Sequence, residues 1–488
     1  MILLFYYLIL CLTLYCILFY MVNWKYILFS FKTNGWYIPV IPLFGNAYIS
    51  LLSGFRVNLI AFVIWLHKNI GFPATLWFGQ DFLYFTADVN EVKTVLNHRN
   101  CRNKAVLYEK FKLLFDKAIM FIPHELWKPR RQHYAPNYKP TILRHQLPVF
   151  YERSCEMVKE LRQKSSVPDL FIFFGGHTFV NFFLTSVGIE PNKVLLNMER
   201  LAELLQEARI LGHSLQFNPA LSEGVWLKFH PDGRAIKGVL NEINKYINLT
   251  TAQRRQQHQE DNLNKETSLL DLMFTLFESD PSRNEIIPRE LFFFLAAATD
   301  TTACSLAFIM TLLGMHPDVQ EKVFKEVQRE LGYEEITYDG LSNLKYTEAV
   351  ICESLRVLPV IPIIGRICDG DLTLGTKTLP EGTSIMISVF HVHRDPKLWP
   401  NPLQFNPDRF LPENQHLIKH GSFLPFSLGS RDCIGKPQAM IAMKTTVANI
   451  VRNLKITSSH KSIEEFQLDS FIDMRTTHQL DCHFTPRT

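Results

Sequence analysis

The sequence predicts a mainly α-helical protein with small β-sheets, carried on an N-terminal membrane anchor. Three observations predict it. Residues 1–22 contain no charged side chain and are dense in Leu, Ile, Phe and Tyr. Long helical patterns follow, above all at 291–313, 341–358 and 435–454. The β-rich stretches between them are short and set among glycine-bearing turns, as at 75–85, 372–374 and 383–389.

Composition bounds the reading. A chain of 488 residues suggests about three ordinary domains by length alone. Hydrophobic residues at 47% and charged residues at 20% allow a large core and exclude global disorder. A net charge of +4 does not argue for nucleic acid binding. The 38 phenylalanines fit buried aromatic packing and an apolar pocket equally well. The nine cysteines are odd in number, irregularly spaced and without a Cys-x-x-Cys pair, so neither a disulfide framework nor a zinc site is expected. That usage fits a reducing compartment.

A helix over residues 1–22 spans about 33 Å, enough for a bilayer core. It lacks the basic start and small-residue cleavage site of a signal peptide, so an uncleaved anchor is expected. Lys25 and Lys32 follow it, and no basic residue precedes it, which places the rest on the cytoplasmic side. The sequon Asn248-Leu249-Thr250 is then a chance match. Pro39, Pro42 and Gly45 make a stiff connector. Residues 75–85 read as a strand pair turning at Gly79-Gln80-Asp81, and 90–97 as a short helix.

Trp127 and Arg131 lie four apart on one helix face, with Pro129 expected near that helix's first turn. A solvated basic turn is the alternative. Residues 140–250 carry amphipathic helical patterns, for example 198–211, and the charged run 251–266 reads as an exposed helix end and loop. The apolar stretch 291–313 is broken by Thr299-Asp300-Thr301-Thr302. A second membrane span is disfavoured, because an acid at its centre costs about 2.5–3.5 kcal/mol. A central buried helix is expected instead, in which Asp300 must find partners.

Glu353 and Arg356 share a face of the 341–358 helix, among apolar residues that favour burial of the pair. Arg409 follows in Phe405-Asn406-Pro407-Asp408-Arg409-Phe410, and Arg366 ends an apolar stretch from Pro359. His391 and His393 are two apart without a third ligand nearby and are expected to pack or cap. Cys433 stands between Gly429 and Gly435, with Arg431 two residues before it and a helix opening directly after. A cysteine at a helix N-terminus meets unpaired N–H groups and the positive dipole end, which favour thiolate. Glycines admit a flat ligand close to the backbone. Such a thiolate suits the proximal position of a haem iron; an ordinary buried cysteine is the alternative.

The spacing Phe426-x-x-Gly429-x-Arg431-x-Cys433-x-Gly435 resembles the haem-binding signature of the cytochrome P450 family. The resemblance runs from Pro39 onward through five motifs in family order. It looks most like the microsomal, animal-type branch, insect and vertebrate, that includes the fatty-acid ω-hydroxylases. It implies a cytochrome P450 fold: residues 1–22 as anchor, 23–46 as hinge, and 47–488 as one domain, since motifs spread along the chain must converge on one haem b. Cys433 is then the axial iron ligand, with Phe426 and Gly435 beside it. Trp127 and Arg131 match a propionate-contacting pair, and Arg366 with Arg431 reaches the other propionate. Glu353, Arg356 and Arg409 match a structural ion network bracing the cysteine loop. Asp300 and Thr301 match the acid and alcohol that handle protons for oxygen activation, the hydroxyl opening the helix locally. Two departures stand out. Ala298 replaces the usual glycine, and Ala297 stands where some ω-hydroxylases carry a haem-linking glutamate, so non-covalent haem is expected.

The implied reaction inserts one atom of O2 into a lipophilic substrate such as a fatty acid, hormone or foreign lipophile. Electrons would come from NADPH through the membrane-bound cytochrome P450 reductase, with cytochrome b5 as an additional candidate partner. The implied location is the endoplasmic reticulum membrane, single-pass, with a cytoplasmic catalytic domain. Lys128, Arg130 and Lys436 are candidates for a basic docking face. A haem-thiolate isomerase or dehydratase, and a non-catalytic haem or lipid binder, are the alternatives.

Overall fold

The computed structural model describes residues 2–34, 40–42, 45–46, 58–194, 197–216, 229–260, 268–277, 285–470 and 472–487. Parts of the expected connector (35–39, 43–44), the end of the charged run (261–266) and Phe471 lie outside the described residues. Helices of eight or more residues are numbered. They are α1 (Ile2–Val22), α2 (Trp24–Asn34), α3 (Leu59–Asn69), α4 (Val89–Asn97), α5 (His124–Tyr134), α6 (Pro140–Lys164) and α7 (Leu170–Phe182). After these come α8 (Met198–Gln216), α9 (Pro231–Glu260), α10 (Leu269–Phe277), α11 (Ile286–Met315), α12 (Pro317–Leu331), α13 (Lys345–Val357) and α14 (Lys436–Asn453).

Among the described residues three helical segments are long and apolar enough to cross a membrane, and of these only Phe5–Val22 exposes its surface. Leu170–Val187 and Ile286–Met315 are mostly buried inside the protein, as expected for the second of them. Beyond α1 the chain stays helical: α2 turns Ile27 and Ser30 inward against the first strand, where Ser30 bonds Thr75. The segment read as connector therefore begins with an amphipathic helix.

One mixed sheet is built from β1 (Ala74–Phe78), β2 (Asp81–Thr86), β3 (Ile363–Ile367) and β4 (Ser384–Ser388) in the order β1-β2-β4-β3. β2 runs parallel to β4, with Leu83 opposite Ser384, and the other two pairings are antiparallel. The remaining strands are short, as expected. Leu454–Ser458 pairs with Cys482–Pro486, which also carries Ser166–Val167, and Leu468–Ser470 pairs with Met474–Thr476 in a terminal hairpin.

Helix α11 is the centre of the core. Its 30 residues extend about 45 Å and pack against α7, α13, α14 and strand Leu454–Ser458. Gly314 lets that strand approach, because a Cβ there would lie 2.7 Å from the Ser458 nitrogen. Several local expectations change. Residues 341–358 form two helices, Tyr338–Asn343 and α13, broken at Leu344. Pro129 is the sixth residue of α5, not in its first turn. Arg254, in the run read as exposed, is buried and bonded to Asp271 through two nitrogens, at 2.9 and 2.7 Å. Thr250 of the sequon is also fully buried, on α9.

His393 shows why the two histidines pack. It is fully buried, and its Nε2 accepts the Leu424 N–H at 2.8 Å, holding the start of the cysteine loop. Burial, with the Arg356 guanidinium next in weight, pushes its pKa down to about 3, and burial pushes His391 to about 3 as well. The unfolded chain titrates near the ordinary value of about 6.5, so it binds these protons first. The stability these two histidines contribute is therefore full above about pH 6.5 and falls below it, by up to about 1.4 kcal/mol per pH unit for each. Between about pH 7 and about pH 5.5 the urea midpoint of His393→Gln should fall less than that of the wild-type protein. An equal drop in the variant would exclude His393 as a source.

Candidate active site

The loop before α14 closes on itself. The Cys433 N–H donates to the Phe426 carbonyl at 2.9 Å, that of Asp432 to Gly429 at 3.2 Å, and that of Ser427 to Leu424 at 3.1 Å. The two glycines do different work. Gly429 has φ +77°, and a Cβ on it would come within 2.1 Å of the Leu96 carbonyl of α4, so it serves the turn and its packing. Gly435 lies on the wall of the cavity beside Cys433.

That cavity, about 410 Å³, is lined by most of the residues singled out in the sequence. The loop supplies Phe426, Arg431, Cys433 and Gly435; α5 supplies Trp127 and Arg131; α11 supplies Ala297, Ala298, Asp300 and Thr301. Phe111, Phe115, Phe121, Phe292 and Phe293 add an aromatic cluster, with Phe115 and Phe292 ring centroids 5.1 Å apart. Cys433 is an exposed thiol whose surface opens into this cavity. Burial pushes its pKa up, and the Gly435 and Lys436 N–H groups and Arg131 only partly oppose that.

The cations do not all sit where the resemblance put them. Arg131 donates to the Asp432 carbonyl and carboxylate, both at 2.7 Å, and so ties α5 to the cysteine loop. Arg431 stands 4.5 Å from the Trp127 ring centroid, a cation–π contact. Its Nη2 donates to the Met120 carbonyl at 3.2 Å, while its buried Nη1 has no hydrogen-bond partner among the described residues. Arg366 is fully buried but is not on the cavity wall; it donates to Ser427 Oγ, at 3.4 Å, which is. Lys104 lines the cavity and was missed, since nothing around it in sequence forms a motif. Burial, then the neighbouring Arg366 and Arg431 charges, push Lys104 well below its usual range, and burial and Arg366 push Arg431 down to about 9. Among the described residues, Lys104, Arg366 and Arg431 form no ion pair with a carboxylate. Arg366 and Arg431 are thus buried guanidinium groups with Lys104 half-buried beside them, a cluster that an anionic ligand would complement.

On α11 the helix stays continuous through Asp300 and Thr301, without the expected local opening. The hydroxyls bond back within the helix instead: Thr301 to Ala297 and Ser305 to Thr301, both at 2.8 Å. Asp300 pairs with Arg475 at 3.2 Å. Burial and the Asp473 carboxylate raise its pKa to about 6 against the pull of Arg475 and Arg209.

Glu353, Arg356 and Arg409 form one cluster. Glu353 and Arg356 are fully buried and joined at 2.7 and 2.8 Å, with Arg409 Nε 3.4 Å from Glu353. Arg130, expected at the surface, is 13% exposed and paired with buried Glu290 at 2.6 Å, which removes it from the candidate docking face.

The residues present fit a haem: a cavity-facing thiol for iron, an apolar enclosure for the ring, and buried cations for two carboxylates. Comparison with known proteins agrees. The family model described as Cytochrome P450 matches residues 38–480. The chain is 27% identical to cytochrome P450 4g1 of Drosophila melanogaster, covering 90% of this chain and 86% of that one. It is 29% identical to probable cytochrome P450 4s3 of the same fly (80% and 81%) and 27% to cytochrome P450 4V2 of Mus musculus (80% and 78%).

Proposed function

The chain belongs to the cytochrome P450 family of haem-dependent monooxygenases, and from that premise we propose the roles of its residues. Cys433 Sγ would hold the iron of a non-covalent haem b, its negative charge stabilised by the N–H groups of Gly435 and Lys436. Ala297 offers only a methyl group for any linkage at its position. Arg431 and Lys104 take the propionates by charge-assisted bonds. Trp127, Arg131 and Arg366 support them: Trp127 through its ring, Arg131 through Asp432 and Arg366 through Ser427. Phe426 and Gly435, on the cavity wall beside Cys433, would flank the ring. The haem, when bound, supplies the iron chemistry that splits dioxygen and delivers one of its atoms to substrate.

Asp300 and Thr301 handle protons. A carboxyl held near 6 gains and loses a proton readily at neutral pH. Thr301 donates its own proton to Ala297, which leaves its oxygen free to accept another. The phenylalanine cluster excludes water and receives a lipophilic substrate. Electrons come from NADPH–cytochrome P450 reductase, with cytochrome b5 as a further donor, docking near exposed Lys128 and Lys436. Helix α1 anchors the protein once in the endoplasmic reticulum membrane, with the catalytic domain (47–488) on the cytoplasmic side.

The observation that carries this reading is one cavity shared by the Cys433 thiol, the Asp300–Thr301 pair and the unpaired cations. The test is the Soret band of the reduced, carbon monoxide-treated protein. A strongly red-shifted band that is lost in Cys433→Ala is expected. A band unchanged by the substitution would overturn the assignment.

A further inference from the structure

Asp300 does not stand alone on α11. Arg475, from the terminal hairpin, reaches Asp300 Oδ1 at 3.2 Å and Asp473 Oδ2 at 2.7 Å. Cys304, one turn along α11, donates its thiol to the same Asp473 oxygen at 3.1 Å. Asp473 is buried and, like Asp300 and Arg209, lies on the cavity wall. The charged and titratable groups facing Asp300 are therefore Arg475 and Asp473 on the hairpin, Arg209 on α8 and Cys304 on its own helix. Two carboxylates share one guanidinium, and the shorter bond goes to the one that is not on α11.

We propose that Arg475 and Asp473 are positioning residues that hold Asp300 in place and set when it takes up a proton. The proposal rests on the reading of Asp300 as a proton-handling group. Arg475 attracts the carboxylate form of Asp300 and fixes its Oδ1. Asp473 competes for the same guanidinium and repels a second negative charge, so the Arg475–Asp300 bond stays the longer of the two. The thiol of Cys304 satisfies part of the Asp473 carboxylate and keeps it on the hairpin side. Asp300 is thus held loosely enough to exchange a proton yet not free to turn away from Thr301. Removing either hairpin residue should move Asp300 in opposite directions: without Arg475 it keeps its proton to higher pH, and without Asp473 it loses it at lower pH.

The experiment is a pH titration of the haem-loaded, full-length protein followed by infrared difference spectroscopy. The protonated-carboxyl band of Asp300 is identified by its loss in Asp300→Asn. The band's midpoint should rise by about one to three pH units in Arg475→Gln and fall in Asp473→Asn. Arg475→Lys should return it towards the wild-type value. Product formed per NADPH consumed, measured alongside, should fall several-fold in Arg475→Gln and recover in Arg475→Lys. Should Arg475→Gln not fold, Asp473→Asn and Arg475→Lys carry the test. Midpoints equal to wild type in both charge-removing variants would overturn the proposal, even with Asp300→Asn defective in coupling. Wild-type coupling in Asp300→Asn would instead overturn the proton-handling reading on which it rests.

Discussion

Replacing Glu353 with alanine is expected to cost about 3–5 kcal/mol of stability and most of the bound haem. Glu353 is fully buried, and its two oxygens accept from Arg356 Nε at 2.7 Å and Nη2 at 2.8 Å. One of them also accepts the Asn406 N–H at 2.9 Å, and Arg409 adds its charge at 3.4 Å. Arg356 in turn donates to the His393 and Pro402 carbonyls, both at 2.8 Å. The carboxylate thus joins α13 to the segment that leads into the cysteine loop. Alanine leaves the Arg356 guanidinium buried without its counter-charge, and that orphaned charge is the main cost. Since whole domains are stable by only about 5–15 kcal/mol, the loss is a large share. Glu353→Gln keeps an acceptor and should fall between alanine and wild type. Urea midpoints and haem content per protein measure the effect. A shift under about 0.5 kcal/mol in the alanine variant would show that the network does not brace the loop.

Asp300→Asn and Thr301→Ala are expected to lower product formation about 100- to 10,000-fold, the usual contribution of a positioned proton-transfer group. Substrate affinity, read from a spectral titration, should change little, because both residues are small parts of a mainly apolar wall. Asparagine keeps the shape of Asp300 and its bond to Arg475 but cannot carry the proton. Alanine at Thr301 removes the hydroxyl that now bonds Ala297 at 2.8 Å. NADPH consumption should fall less than product, since electrons still arrive while protons are misdirected. A loss of product below tenfold in both variants would remove the pair from the proton path.

Much of the site was legible because its chemistry is local. Phe426, Arg431, Cys433 and Gly435 lie within ten residues, and backbone bonds inside the loop, such as Cys433 N–H to Phe426, bring them together. Glu353 and Arg356 are three apart on one helix, so their pairing follows from helical geometry. Arg131 stands out in sequence only through the resemblance of its Trp127 pairing, and its engagement with Asp432 is not legible there, because that partner comes from the other end of the chain. Lys104 was invisible for the same reason. It belongs to no local pattern, and its importance lies in being crowded against Arg366 and Arg431.

What the sequence determined by itself was the helical class and the apolar N-terminal helix, written in uninterrupted apolar runs, and short spacings singled out Cys433. Tertiary structure decided the electrostatics. It withdrew Arg130 to Glu290, moved Arg366 behind the cavity wall, left Arg431 Nη1 unpaired and set the Arg475–Asp473 pair against Asp300. A charge acts through distance and burial, and both depend on residues far apart in the chain, as with Cys304 and Asp473, 169 positions apart and 3.1 Å from contact atom to contact atom.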